Sequence, residues 1–129
     1  MLDEWLLDGV RPMVYMNPYF ADLSSFNVTL RENYFQEGVE NNYFVKQANG
    51  EPYLIRSISI QFGMIDFTNP AAREWAKNII KKNLLDEGRS VGWMADFAEY
   101  TPMNGVYYNW TQSSQTYHNR YPYEWAKLN

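Results

Sequence analysis

The chain has 129 residues, of which 46% are hydrophobic and 18% aromatic, so it has the length of one ordinary domain and enough apolar mass for a core, which excludes a disordered tail. Its net charge of −4, with no Lys/Arg cluster larger than Lys81-Lys82, excludes a nucleic-acid or anionic-membrane surface, because both need a concentrated basic footprint. Cysteine is absent, which excludes disulfides and cysteine zinc sites, and no run nears the roughly 20 apolar residues of a membrane span. In chain order, LDEWLLDGV reads as the last turns of a helix ending at Gly9. Pro12 to Met16 is then a continuous apolar run of buried-strand length, broken by Asn17-Pro18.

From Tyr19 to about Phe67 the pattern is irregular, with only Tyr53-Leu-Ile and Ser57-Ile-Ser-Ile suggesting short strands; a connection this long is unusual in a compact domain unless it is functional. Thr68-Asn69-Pro70 is a helix start, since Asn caps free N–H groups and Pro fits the first helical position. Ala72, Trp75, Ala76, Ile79, Ile80 and Leu84 then recur at helical spacing up to Gly88. Val91 to Ala95 is a second apolar strand, Phe97 to about Tyr117 a loop, and Asn119 to Leu128 a further helix.

Two apolar strands joined by a helical crossover form a parallel βαβ unit. Two parallel strands cannot cover their own faces, and a closed barrel takes about 250 residues. The expected fold class is therefore α/β: residues 1–129 form a partial (β/α)8 TIM barrel, two parallel strands with their loops and helices, and the partner they lack is the remainder of the barrel. Barrels carry their chemistry at the C-terminal strand ends. Asn17 ends the first strand and Asp96 the second, so both face one rim, with the 19–67 loop roofing it. Asp96 and Glu99 stand three residues apart behind a charge-free apolar run, flanked by Trp93, Met94, Phe97 and Tyr100. That makes Asn17, Trp93 and Met94 pocket candidates, and the many aromatic rings suit either stacking on a sugar or packing a large core.

Each acid also has a plainer reading. Asp96 after a strand fits the N-cap of a following helix, Glu99 a solvated loop residue, Asp66 a turn or cap, and the single histidine, His118, a group that orders a helix start. The start of the chain lacks a signal-peptide pattern, which leans toward the cytoplasm; use of the sequons at Asn27 and Asn109 would point to the secretory pathway instead.

The stretches VYMNPYFAD (14–22), GMIDFTNPAAREWAKNIIKKNLLDEG (63–88), VGWMADFAEYTP (91–102) and HNRYPYEWAKL (118–128) together resemble glycoside hydrolase family 31, and within it the sulfoquinovosidase-like branch. The resemblance implies a retaining α-glycosidase that needs no cofactor or metal and cleaves an α-glucoside or α-sulfoquinovoside. It implies that Asp96 is the nucleophile, that Glu99 holds a supporting position, and that the acid/base is an Asp from a later strand beyond Asn129. Ala98 departs from the branch pattern, which usually has Gly there. Two other classes stay open: a non-catalytic carbohydrate-binding or regulatory homologue on the same fold, and a small aromatic-rich interaction domain that folds alone.

Overall fold

The computed structural model describes residues 2–129. Helix α1 (Leu2–Leu7) carries Asp3 and Glu4 in its first turn, where the helix dipole favours negative charge, and the chain leaves it through Gly9 at φ +81°. Strand β1 (Met13–Met16) follows. It pairs in parallel with β5 (Gly92–Ala95), in the register Met13↔Gly92 to Met16↔Ala95. The connection between them is the predicted helical crossover, so the βαβ unit is present.

Helix α3 (Pro70–Ile79) of that crossover starts as its sequence requires: Asn69 Oδ1 accepts from the Ala71 amide at 3.0 Å, and Pro70 takes the first helical position. Ala72, Trp75, Ala76 and Ile79 are buried along one face. From Ile80 to Glu87 the winding widens to a π-helix, closed by the Gly88 amide on the Asn83 carbonyl at 3.0 Å. The single amphipathic helix expected over this stretch is thus two windings on one axis.

The 19–67 segment is more regular than the sequence suggests. It holds β2 (Tyr19–Asp22), α2 (Tyr34–Glu40), β3 (Leu54–Ser57) and β4 (Ile60–Met64), the strands forming an antiparallel sheet in the order β2-β4-β3. Of the two short strands expected, Tyr53-Leu-Ile falls on the start of β3, whereas Ser57-Ile-Ser-Ile is the turn of the β3–β4 hairpin, whose second strand begins only at Ile60; β2 and α2 were not foreseen. Tyr19-Phe-Ala-Asp is too short to show a period, and its partners lie far along the chain, Tyr19 against Met64 and Asp22 against Gln61. Phe44 is wedged into this unit against Gly38 and Gly63; a β-carbon on Gly63 would stand 2.7 Å from the Phe44 ring. Gly63→Ala is accordingly expected to cost about 1–3 kcal/mol, seen as a lower thermal midpoint, because the buried ring has nowhere to retreat.

Helix α4 (Ser114–Leu128) begins at Ser114 rather than at the expected Asn119, capped by Ser113, whose hydroxyl accepts from the Thr116 amide. Tyr117, Tyr121, Trp125 and Leu128 form its buried face. Phe67 stacks on Tyr121 and Trp125 at centroid separations of 4.8 and 5.8 Å, and the Tyr121 hydroxyl donates to the Ile65 carbonyl at 2.8 Å. The core therefore lies on the helix side of β1 and β5. On the other side Met13, Tyr15 and Met94 are 73%, 48% and 58% exposed, an uncovered apolar face where a closed barrel has its interior. No helix among the described residues is long and apolar enough to cross a membrane.

Candidate active site

The parallel ladder sets the site. The last pair, Met16↔Ala95, is closed by the Asp96 amide, which donates to the Met16 carbonyl at 3.0 Å, so that Asn17 and Asp96 are the next residues along the two strands, side by side. Successive strand side chains alternate in direction, so Asn17, Met94 and Asp96 share the helix-free face with Tyr15, while Trp93 shares the core face with Met16. The structure thus brings three of the predicted residues together and leaves Trp93 on the opposite side. Trp93 packs against the core, and its indole N–H donates to Asn129 Oδ1 at 2.7 Å.

Asn17 Oδ1 accepts from the Tyr19 amide at 3.1 Å, which fixes the amide group at the strand end. The half-buried Asp96 carboxylate takes no hydrogen bond or ion pair from any described residue. No helix starts after Asp96; the next is α4, at Ser114, which removes the capping reading. A sharp elbow follows instead, with Phe97 at φ +53° and Ala98 at φ +146°. Glu99 folds back on this elbow, its Oε2 accepting from the Ala98 amide at 3.0 Å.

The Ala98 conformation belongs to glycine, because a β-carbon is strained at positive φ, and it falls at the position where the branch pattern usually has Gly. Strain of this kind costs about 1–3 kcal/mol, and a glycine's extra freedom in the unfolded chain offsets about 0.4–1 kcal/mol of the relief. Ala98→Gly is therefore expected to stabilise the fold by about 1 kcal/mol, measured as a raised thermal midpoint.

Beside Asp96 the antiparallel sheet and the elbow enclose a cleft of about 500 Å³. It opens from Asn17 and Phe97, the residues flanking Asp96, and its aromatic wall is a run of rings: Phe62, Tyr19, Phe97 and Tyr100, with successive centroids 6.3, 6.3 and 6.1 Å apart. Burial, reinforced by the charge of Glu99, pushes the Tyr19 hydroxyl up to about 12, so it stays a neutral phenol at physiological pH. The sequence reading missed Tyr19 and Phe62 as cleft residues; the apolar Tyr53-Leu-Ile run signals a strand but not the cavity it borders.

Asp66 and His118 lie away from this rim and have structural tasks. Asp66 Oδ1 accepts from the Thr68 amide and hydroxyl at 2.9 and 2.7 Å, and Oδ2 from the Tyr108 amide at 2.6 Å. Burial nevertheless holds its carboxyl above the ordinary carboxylate range. His118 sits inside α4, not at its start, with Nδ1 2.5 Å from the Thr101 carbonyl. Both residues tie the 97–113 loop to the helices beneath it.

Two parallel strands, a helical crossover and polar side chains gathered at the C-terminal strand ends define a segment of a (β/α)8 barrel. The family model of the glycosyl hydrolases family 31 TIM-barrel domain matches residues 1–129. The sulfoquinovosidase of Escherichia coli (strain K12) is 36% identical over 128 residues, which is 99% of this chain and 17% of that protein. Alpha-xylosidase XylQ of Lactiplantibacillus pentosus is 30% identical over 119 residues, 92% of this chain and 14% of that protein. Among solved structures, a GH31 family sulfoquinovosidase from E. rectale in complex with the aza-sugar inhibitor IFGSQ superposes with a TM-score of 0.86 at 36% identity, over 99% of this chain and 18% of that one. The chain belongs to glycosyl hydrolase family 31, as part of its TIM-barrel domain, and spans less than a fifth of the length of these relatives.

Proposed function

We propose that this chain is the nucleophile-bearing part of a retaining α-glycosidase that hydrolyses a terminal α-glucoside or α-sulfoquinovoside by double displacement. Asp96 attacks the anomeric carbon and forms a covalent glycosyl ester as the leaving oxygen takes a proton from a second carboxyl group. Water, activated by that same second group, then cleaves the ester. Retention needs the two carboxyls roughly 5 to 5.5 Å apart, and the proposed partner is an Asp on a later barrel strand, beyond Asn129. Glu99 acts as a positioning residue: by holding the Ala98 amide it fixes the elbow on which Asp96 is mounted.

The observation that carries this reading is the Asp96 carboxylate at the end of β5, level with Asn17 on the helix-free face and unengaged by any described residue. The two relatives, a sulfoquinovosidase and an alpha-xylosidase, support the reaction class and leave the sugar open. The test is the anomer first released by the complete enzyme from an aryl α-glycoside, followed by proton NMR within the first turnovers. The α-anomer is expected to appear first; β-anomer first would mean inversion and would remove the nucleophile role.

A further inference from the structure

We infer that the β3–β4 hairpin builds the leaving-group side of the site and that Arg56 recognises a negatively charged group on the aglycone; this rests on the glycosidase reading above. Arg56 and Ser57, at the end of β3, line the cleft beside Asn17 and the aromatic wall, and Arg56 carries the one formal charge on that lining. Most other cations of the chain hold carboxylates, for example Arg31 on Glu87, Arg73 on Glu124 and Lys81 on Asp86. Arg56 holds none: its neighbour across the sheet is Gln61, and no described residue accepts a hydrogen bond from its guanidinium or pairs with it. A free guanidinium beside aromatic rings is a fork for the paired oxygens of a carboxylate, sulfonate or phosphate, and its planar face suits the rings.

Position assigns the group to the aglycone. The anomeric carbon must lie against Asp96, yet the cleft wall is reached at Asn17 and Phe97, the neighbours of that carboxylate, and runs outward to the exposed Arg56, Ser57 and Tyr100. What occupies the cleft is therefore next to the attacked carbon and reaches the end of the β3–β4 hairpin, where Arg56 and Ser57 are exposed among the described residues. A leaving group needs such a path, and the Phe97–Tyr100 ring pair offers it a stacking surface.

The experiment compares 4-nitrophenyl with 3-carboxy-4-nitrophenyl α-glycosides, made on both glucose and sulfoquinovose, using the complete enzyme and its Arg56→Gln and Arg56→Lys variants. The ratio of kcat/KM, carboxylated over plain, is expected to fall about tenfold in Arg56→Gln, as for a charge-assisted hydrogen bond lost at a partly solvated site, and to recover in part in Arg56→Lys. Taking the ratio within each variant cancels any loss of folded protein. A ratio equal to that of the parent, or equal losses on both aglycones, which is the pattern of a residue that reads the glycone or only supports the fold, would overturn the inference and leave the glycosidase reading intact. No turnover of any of the four substrates by the parent enzyme would remove the glycosidase reading, and this inference with it.

Discussion

Asp96→Asn in the complete enzyme is expected to fold like the parent and to lose more than about 10⁴-fold in turnover, the scale on which removal of a covalent nucleophile is felt. The amide has nearly the size of the carboxylate, and the Asp96 backbone keeps its bond to the Met16 carbonyl whichever side chain it carries. No described residue pairs with the carboxylate, so its removal orphans no donor among residues 2–129, and the stability change is expected to stay within the about 0.5 kcal/mol typical of uncoupled sites. A structural acid would behave in the opposite way, with a stability cost of about 0.5–2 kcal/mol and an intact rate per folded molecule. A melt and a rate on the same preparation separate the two. An active Asp96→Asn enzyme would refute the assignment.

A polypeptide of residues 1–129 alone is expected to show no turnover and to self-associate. With one member of the carboxyl pair it can neither protonate a leaving group nor activate water, steps that usually contribute about 10² to 10⁴ each in rate. Met13, Tyr15 and Met94 leave one face of the parallel pair uncovered, the kind of apolar patch that soluble monomers rarely tolerate beyond a few hundred Å². The check is an aryl α-glycoside assay beside light scattering on the same sample. Turnover free of host enzymes would show that the catalytic pair lies within these residues. A monomeric, cooperative melt would show that the face is covered from within, as a small domain that folds alone requires.

The parts of the fold legible in the sequence are those whose causes are local. The apolar runs at 13–16 and 92–95 and the Asn69-Pro70 start each declare themselves within a few residues, and together they fix the βαβ unit and hence the level at which Asn17 and Asp96 meet. The inserted sheet was only half visible because β2 is defined by β4, to which it pairs from far along the chain. Helix α4 hid its first turn behind Ser114 and Thr116, weak helix formers made helical by the Ser113 cap and by the burial of Tyr117, and its Pro122 obscured the rest. Trp93 next to Met94 looked like a pocket wall, but the two-residue period of a strand turns it toward the core. The elbow was invisible for another reason: nothing in an alanine announces the positive φ that Ala98 adopts.

Covalent labelling tests directly whether Asp96 carries the nucleophilic oxygen. The complete enzyme is treated with a slow fluorinated α-glycoside, digested, and its peptides weighed by mass spectrometry. A glycosyl adduct on the peptide containing Asp96, absent from the Asp96→Asn variant and located to that side chain by fragmentation, is the predicted result. An adduct on Asp66 or Glu99, or the same adduct on the Asn variant, would contradict it.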